Sequence, residues 1–374
     1  MECTDLKIQL MQKGAIFTEK ARMHMSKSRF GQISFADYAT TGGVVLAVGN
    51  KFYVNVPVKF DDTPFSVDRT EKGFVLKMEG RVSEVTIETM PVPQFALDNA
   101  RLEDGTPVRE LVMTHADRLR ISPIHGCYFH CQFCTSNVQK YREIPVENLD
   151  RAVQVALGDS NNQPRHIFIS GGTPREEEDS YEYLNRVYRF FPDKYKNYEF
   201  DVMLSPRGRY AGRRDENAYE DFLKYLHEDC GIATMSVNLE LYNENLRKKY
   251  IPEKAAIGIE DYLLFIRKAV SVFGQGKIRS SLVVGLEEKA DTLAGVRELA
   301  DCGCLPVLSA FVPAQGTFME RYPKPEAAFL LEIVHEAAEI ALRNHTVLGP
   351  LCRPCTHNSL TEEEGSIAFS DDIR

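Results

Sequence analysis

The chain has 374 residues, which is long enough to bury a large core without help from disulfides. Apolar residues make up 43% and charged residues 26%, the usual balance of a folded domain, and this excludes the disordered and fibrous classes. The formal net charge is −9, whereas proteins that bind the phosphate backbone of nucleic acids usually carry an excess of basic residues. We therefore expect no nucleic-acid partner.

The sequence carries no recognisable targeting signal, and its cysteine content is compatible with the cytoplasm. No window approaches the roughly 18 apolar residues of a membrane span, and the first residues lack the basic and apolar regions of a signal peptide. We therefore expect a cytoplasmic protein with no membrane partner. In a reducing compartment, nine cysteines favour metal binding or catalysis over disulfides.

Residues 1–115 predict a small, mainly β appendage. Short apolar runs are broken by Gly, Asp and Pro, and segments 49–54 and 69–74 carry residues typical of hairpin turns. At the other end of the chain, residues 361–374 form an acidic tail that we expect to be poorly ordered.

Residues 116–360 alternate short β-rich runs with stretches of helical periodicity, in seven β/α steps. Such alternation implies right-handed crossovers and an α/β fold whose parallel sheet curls into a full or partial TIM-like (β/α) barrel. Functional residues should then follow the carboxyl ends of the strands. The predicted strands are 118–122, 166–170, 200–204, 233–238, 279–284, 306–311 and 346–349.

Three cysteines follow the first of these strands. Cys127, Cys131 and Cys134 stand in C-x3-C-x2-C spacing. Four thiolates normally complete a cubane, so three leave one iron open to a small chelating molecule. A zinc site is the alternative, because His125 or His130 can supply a fourth ligand. We favour a [4Fe–4S] cluster with an open iron.

The triad, with Phe133 just before its third cysteine, resembles the signature of the radical S-adenosylmethionine superfamily. The resemblance implies that the methionyl group of the cofactor chelates the open iron, and that its reductive cleavage yields a 5′-deoxyadenosyl radical. The ring of Phe133 would pack over the cluster or the adenine, or else in the core. An electron donor such as flavodoxin or ferredoxin is also implied.

Residues Gly171, Gly172 and Thr173 follow the second strand and resemble the GGE-type motif of that family, with Thr173 in place of the glutamate. Glycine lets backbone carbonyls approach the ammonium group of the cofactor closely, which a side chain would block. An ordinary strand-to-helix turn is the alternative interpretation.

Further cofactor contacts are implied by likeness to the biotin synthase and lipoyl synthase branch. Ser205 ends the third strand, and Asn238 and Glu240 end the fourth. Glu240 would accept the ribose hydroxyls, and Arg247 would bind the carboxylate with two hydrogen bonds. For Arg247 a solvated helix face is an equal alternative.

A second cysteine pair, Cys352 and Cys355, follows the last predicted strand, so we expect it on the catalytic face. Cys302 and Cys304 precede a strand and should lie at the opposite end. The Cys352–Cys355 pair predicts an auxiliary iron–sulfur cluster, completed by a residue such as His357, or a redox dithiol. Two small buried hydrophobic residues are the alternative.

The resemblance implies hydrogen abstraction from an aliphatic carbon of a small-molecule or carrier-bound substrate. Sulfur insertion, as in biotin and lipoyl synthases, is the favoured outcome because the late cysteine pair would supply a sacrificial cluster. Alternatives on the same barrel are radical rearrangement, lyase chemistry and cofactor maturation. A non-catalytic zinc or iron–sulfur protein is the rival from another class.

Overall fold

The computed structural model describes residues 3–24, 43–49, 51–79, 81–206 and 216–361. The acidic tail assigned to 361–374 therefore lies, apart from its first residue, outside the described residues. Within the described part of the chain, no helix combines the length and the apolar character that crossing a bilayer demands.

The first part of the chain forms a seven-stranded sheet with two helices. Its strands lie in the order β3-β2-β7-β6-β5-β1-β4, and most neighbours are antiparallel, whereas β1 runs parallel to both β4 and β5. The elements are α1 (Cys3–Lys13), β1 (Ala15–Phe17), α2 (Glu19–His24), β2 (Val44–Val48), β3 (Phe52–Val56), β4 (Val58–Lys59), β5 (Phe65–Thr70), β6 (Gly73–Met78) and β7 (Arg81–Thr89).

Alternating apolar residues build the core of this sheet. Phe65 and Val67 point inward from β5, and Leu46 and Val48 point inward from β2, so each strand buries every second side chain. The turn between β5 and β6 ends at Gly73, which has a φ of 122°. Glycine adopts this backbone conformation freely, whereas residues with a side chain are strained in it. The sequence at 69–74 therefore makes the hairpin that its turn residues predict.

The remaining elements form the α/β part of the protein. They are α3 (Gln94–Leu97), α4 (Val108–Leu111), β8 (Val112–His115), β9 (Arg118–Ile121), β10 (Ile124–His125), β11 (Arg142–Glu143), α5 (Val146–Leu157), β12 (His166–Ile169), α6 (Glu178–Lys194), β13 (Glu199–Met203), α7 (Glu216–Lys224), β14 (Ile232–Ser236), α8 (Glu244–Tyr250), α9 (Pro252–Ile257), α10 (Ile259–Phe273), β15 (Ile278–Val284), α11 (Lys289–Asp301), β16 (Leu305–Ala310) and α12 (Ala327–Arg343).

The second sheet has the order β8-β9-β12-β13-β14-β15-β16. From β9 to β16 the neighbouring strands are parallel, and β8 pairs antiparallel with β9 at one edge. Helices cover the sheet with one apolar face each. In α5, for example, Leu149, Ala152, Val153 and Ala156 are buried at helical spacing. The α/β fold with parallel strands is as expected, in the form of an open, partial barrel.

Two expectations about the barrel differ from the structure. Residues 346–349 do not form a seventh parallel strand. The Gly349 amide donates to the Pro306 carbonyl (2.8 Å), and Pro350 has no N–H to continue a ladder. The boundary at residue 115 also differs, because Val112 and the rest of β8 pair with β9 and belong to the barrel core.

The segment after α12 crosses the end of the barrel where the parallel strands begin. It contains a 3₁₀ turn at Pro354–Asn358, which packs against β3 of the first sheet. The Leu360 amide donates to the Leu308 carbonyl (2.8 Å), and the Lys7 Nζ of α1 donates to the Thr361 carbonyl (3.1 Å). This segment therefore joins the two sheets.

Candidate functional site

The loop carrying the three cysteines leaves β9 at its carboxyl end. Backbone and side-chain contacts hold it. The Gln132 amide donates to the Tyr250 carbonyl (2.9 Å), and the Asn137 side chain donates to the Cys131 carbonyl (2.6 Å). Glu253 of α9 accepts from both the amide (3.0 Å) and the Nδ1 (2.6 Å) of His130. The loop is thus anchored to α8 and α9 as well as to its own strand.

The three thiols are free, and their surroundings suit metal ligands. The Thr173 amide lies 3.1 Å from Cys127 Sγ, and the Ser136 amide lies 3.4 Å from Cys134 Sγ, so both sulfurs accept hydrogen bonds. Burial raises the pKa of the Cys131 and Cys134 thiols. Such thiols ionise when a bound cation supplies the compensating charge, which fits the expected iron–sulfur ligands.

The glycine turn after β12 packs directly on the cysteine loop. The Gly172 amide donates to the Ile124 carbonyl (3.1 Å), and the Tyr128 amide donates to the Thr173 carbonyl (3.0 Å). A Cβ on Gly172 would lie 1.7 Å from the Gly126 carbonyl oxygen. Glycine is therefore required here by the close approach of two backbones, a different reason from the expected exposure of carbonyls to a cofactor.

Most of the predicted site residues line one cavity at the carboxyl ends of the strands. This is the end at which a parallel α/β sheet normally carries its function. The predicted residues on the wall of the cavity are Cys127, Cys131, Cys134, Gly171, Gly172, Thr173, Ser205, Asn238 and Glu240.

Phe133 lies outside this wall. Its partly buried ring packs against the barrel core, which was the alternative for this residue. The aromatic ring that lines the cavity from the cysteine loop belongs to Phe129, which is 2% exposed. Sequence reasoning missed Phe129, although it lies between two of the cysteines.

Glu240 is held rigidly at the end of β14. Its amide donates to the Ser281 carbonyl (2.8 Å), its carbonyl accepts from the Val283 amide (2.7 Å), and its φ is 69°. Beside it, the Asn238 side-chain oxygen accepts from Ser236 Oγ (2.7 Å) and the Ser281 amide (3.2 Å). β15 therefore fixes the backbone of Glu240 and the side chain of Asn238 at the cavity wall.

Lys254 of α9 is a cavity residue that the sequence did not reveal. Its Nζ donates to Glu240 Oε1 (2.8 Å) and to the Asn238 carbonyl (2.9 Å), and the residue is 6% exposed. Burial by itself lowers the pKa of Lys254, but the Glu240 carboxylate, together with Tyr262 and Cys131, outweighs this effect, and the net pKa is raised. A single lysine in a short helix gives no sequence signal for such a buried pair.

Arg247 has a structural environment. The residue is 1% exposed, and its guanidinium donates to the carbonyls of Leu239 (2.6 Å), Leu241 (2.8 Å) and Lys254 (3.0 Å). It is neither on the cavity wall nor on a solvated helix face. Its donors instead connect the end of β14 to α9, which positions Glu240 and Lys254.

The second cysteine pair lies at the end of the barrel opposite to the triad. Cys352 and Cys355 contact Asp117, which precedes β9, and His166, which begins β12. The expectation that the pair faces the catalytic end is wrong, because residues 346–349 do not run as a further parallel strand. Sequence reasoning also missed Asp117 and His166 as neighbours of the pair.

Cys302 and Cys304 lie before β16, as expected, and thus at the same end of the barrel as the second pair. Cys304 is fully buried, and its Sγ contacts the Leu305 carbonyl (3.8 Å). Cys302 Sγ accepts from Arg267 (3.7 Å). The group of close potential metal ligands found among the described residues comprises Asp117, His166, Cys352 and Cys355 and does not include these two thiols.

Comparison with known proteins gives partial matches. No protein-family model matches the chain. It is 30% identical over 115 residues to bacteriochlorophyllide c C-7(1)-hydroxylase of Chlorobaculum limnaeum, covering 30% of this chain and 29% of that protein. It is 24% identical over 173 residues to a probable GTP 3′,8-cyclase of Thermococcus kodakarensis, covering 46% of this chain and 49% of that protein. The chain thus spans half or less of these curated relatives.

Two solved structures are also similar. A radical SAM methyltransferase from Sphaerobacter thermophilus has a TM-score of 0.47 at 15% identity, covering 77% of this chain and 76% of that one. HydG, a maturase of the [FeFe]-hydrogenase, has a TM-score of 0.45 at 15% identity, covering 63% of this chain and 52% of that one. A radical SAM enzyme is thus among the solved structures that the chain is similar to.

Proposed function

We propose that this chain is a radical S-adenosylmethionine enzyme. The observation that carries the proposal is the convergence of Cys127, Cys131 and Cys134 with the Gly171–Thr173 turn and Glu240 on one cavity wall. When bound by the triad, a [4Fe–4S] cluster supplies the electron that cleaves the sulfonium of S-adenosylmethionine and so allows hydrogen abstraction from substrate.

The protein's own groups position the reactants. The amides of Thr173 and Ser136 donate to two of the cluster-binding sulfurs and so fix their direction. Glu240, set in place by Lys254, presents a carboxylate to the cavity and accepts hydrogen bonds from hydroxyl donors such as those of a ribose. Asn238 and Ser205 extend the polar wall beside it.

The other side of the cavity favours an apolar substrate. Leu184 and Tyr188 of α6, Phe222 of α7 and Phe265 of α10 line it together with Met203. Such a wall disfavours water and suits an apolar part of a substrate. We therefore propose an aliphatic carbon of a small-molecule or carrier-bound substrate as the target, and flavodoxin or ferredoxin as electron donor.

Sulfur insertion is not part of this proposal. It depended on an auxiliary cluster at Cys352 and Cys355 beside the catalytic cavity, and those thiols contact Asp117 and His166 at the opposite end of the barrel. A sacrificial sulfur atom at that end has no access to a carbon bound near Cys127. Radical rearrangement, lyase chemistry and cofactor maturation need no second cluster and remain consistent with the cavity.

The proposal is tested by anaerobic purification, reconstitution with iron and sulfide, and reduction with dithionite in the presence of S-adenosylmethionine. We expect about four irons per chain, bleaching of the visible absorption, and formation of 5′-deoxyadenosine. Alanine at Cys127, Cys131 or Cys134 should abolish both the iron and the product.

The matched control is C302A/C304A, which removes two buried thiols away from the cavity and should retain both signals. Zinc bound by the triad in place of iron, with no cleavage of S-adenosylmethionine, would instead establish the non-catalytic metal protein as the correct class.

A further inference from the structure

Four potential metal ligands converge at the end of the barrel where the strands begin. Asp117 lies in the turn between β8 and β9, His166 is the first residue of β12, and Cys352 and Cys355 lie in the C-terminal crossing segment. One ligand atom from each residue lies within 4.8 Å of all the others. Three segments that are remote in sequence therefore present four donor atoms to one point.

Five of the six distances among these atoms match the edges of a coordination tetrahedron. Cys352 Sγ lies 3.5 Å from Asp117 Oδ1 and 3.6 Å from His166 Nε2, and Cys355 Sγ lies 3.8 Å and 3.4 Å from the same two atoms. Asp117 Oδ1 and His166 Nε2 are 3.5 Å apart. Metal–sulfur bonds of about 2.3 Å and metal–nitrogen or metal–oxygen bonds of about 2.0–2.2 Å give tetrahedral edges of about 3.3–3.8 Å.

The sixth edge joins the two sulfurs, which are 2.7 Å apart. This is longer than the roughly 2.05 Å of a disulfide bond and shorter by about 1 Å than the tetrahedral edge. Both residues stand in one short turn, in which the Cys355 amide donates to the Cys352 carbonyl (3.0 Å). Zinc binding therefore requires the two sulfurs to move apart by about 1 Å.

We propose that Asp117, His166, Cys352 and Cys355 form a closed, tetrahedral zinc site with a structural role. Two thiolates and an imidazole suit zinc, and four protein ligands leave no coordination position open for a substrate. The donor atoms are too close together for the corners of a [4Fe–4S] cluster, whose four ligands bind four different irons. On binding, the two thiols give up their protons to solvent.

The structure also indicates what the zinc stabilises. The crossing segment packs against β3 of the first sheet. A zinc ion bound at the site would therefore connect this segment, and through it the first sheet, to the first residues of β9 and β12. Asp117 and His166 are 15% and 20% exposed at their side chains, and Cys355 is buried, so exchange with solvent is restricted. The proposal is independent of the activity proposed for the triad.

The test is analysis of zinc, cobalt and iron in the full chain, which is purified anaerobically, reconstituted with iron and sulfide, and then supplied with Zn²⁺ or Co²⁺. We expect about one zinc per chain, and a Co²⁺-substituted protein with the intense visible bands of tetrahedral coordination and a thiolate-to-cobalt charge-transfer band. C352A/C355A should lose both, whereas C302A/C304A, which removes the same number of thiols, should keep both.

The two metal sites are distinguished by their own variants. Alanine at Cys127, Cys131 and Cys134 should remove the iron and leave the zinc, whatever the fate of the proposed activity. If C352A/C355A fails to fold, His166→Gln and Asp117→Asn replace it, and each should weaken zinc binding by at least about tenfold in competition with a chelator.

Three results would overturn the zinc site. Zinc retained in C352A/C355A would show that the metal binds at another site. Iron that falls in this variant would establish an auxiliary cluster. A metal-free chain whose mass is lower by two hydrogens, restored by a reductant and unchanged in C352A/C355A, would establish a Cys352–Cys355 disulfide. In support, hydrogen exchange of residues 346–361 should become faster when a chelator removes the zinc.

Discussion

The Cα of Gly172 approaches the carbonyl oxygen of Gly126 so closely that an added Cβ would lie 1.7 Å from that oxygen. Gly172→Ala must therefore push the glycine turn away from the cysteine loop. We expect a loss of about 1–3 kcal/mol in the free energy of unfolding, measured by chemical denaturation, and a lower iron content after reconstitution.

The control for this substitution is Gly158→Ala. Gly158 ends α5 with a φ of −85°, and the nearest atom to its added Cβ lies at 3.4 Å. We expect a change within about 0.5 kcal/mol and a normal iron content. Equal effects of the two substitutions would show that the close approach at Gly172 does not matter.

The buried pair of Lys254 and Glu240 provides the second prediction. Lys254→Met leaves the Glu240 carboxylate and the Asn238 carbonyl without their donor, in a site where the two charged side chains are only 7% and 15% exposed. We expect a loss of about 3 kcal/mol in the free energy of unfolding at neutral pH.

Adding Glu240→Gln to Lys254→Met removes the unpaired charge and should recover at least about 1 kcal/mol, because the two residues interact directly. Denaturation of the two single variants and the double variant measures this coupling. If the effects of the single substitutions simply add, the pair does not behave as a buried ion pair.

The third prediction separates a positioning role of Arg247 from cofactor binding. Arg247→Lys cannot reach the three carbonyls of Leu239, Leu241 and Lys254 together. We expect at least about 2 kcal/mol lower stability, since each buried carbonyl left unpaired costs about 1–3 kcal/mol.

Lys248→Ala is the matched control, because the Lys248 side chain is 68% exposed on the same helix, and its effect should stay within about 0.5 kcal/mol. A direct role of Arg247 in binding S-adenosylmethionine would appear differently, as a raised KM for that molecule with the unfolding transition unchanged.

The fourth prediction concerns acid stability of the first sheet. Hydrogen bonds from Lys77 (2.6 Å), Thr18 (2.7 Å) and the Arg69 amide (2.8 Å) lower the pKa of Asp68 to about 2. Because the folded pKa is below its ordinary value of 3.8, the stabilisation from the ionised Asp68 is complete above about pH 5 and is lost as the pH falls through 4 towards 2.

Asp68→Asn should therefore reduce the free energy of unfolding by about 1–2 kcal/mol at pH 7, allowing for the partial exposure of the pair to solvent. Between pH 5 and pH 3 the difference from the unsubstituted chain should shrink by about half. A difference that stays constant over this range would contradict the lowered pKa. Both proteins are compared by denaturation at each pH.

Periodic sequence patterns predict much of the fold. The alternation of strands and helices from residue 118 to residue 343 matches the six parallel strands and the longer helices, because amphipathic helices such as α5 and buried apolar strands such as β12 carry strong signals. The short elements α8, α9, β10 and β11 were not predicted. The segment 346–349 has a strand-like composition, but Gly349 and Pro350 leave it with a single hydrogen bond to β16. Local composition cannot reveal which backbone donors find a partner.

The candidate site is predicted where its residues are close in sequence. The triad and the Gly171–Thr173 turn follow consecutive parallel strands, so their meeting follows from topology. Asp117 and His166 were missed because their roles depend on contacts across the fold. Lys254 was missed because a single lysine in a short helix does not show that it is buried beside Glu240. The pairing of Cys352 with Asp117 spans 235 residues, and no local pattern contains that information.

This long separation has a consequence for the order of assembly. The triad, β9 and β12 are synthesised well before the crossing segment. The cavity end of the barrel can therefore form its first contacts before Cys352 has been synthesised. The opposite end closes only after α12 has been synthesised and folded back. Engagement of Asp117 and His166 by the two late cysteines therefore marks the point at which the barrel and the first sheet become one folded unit.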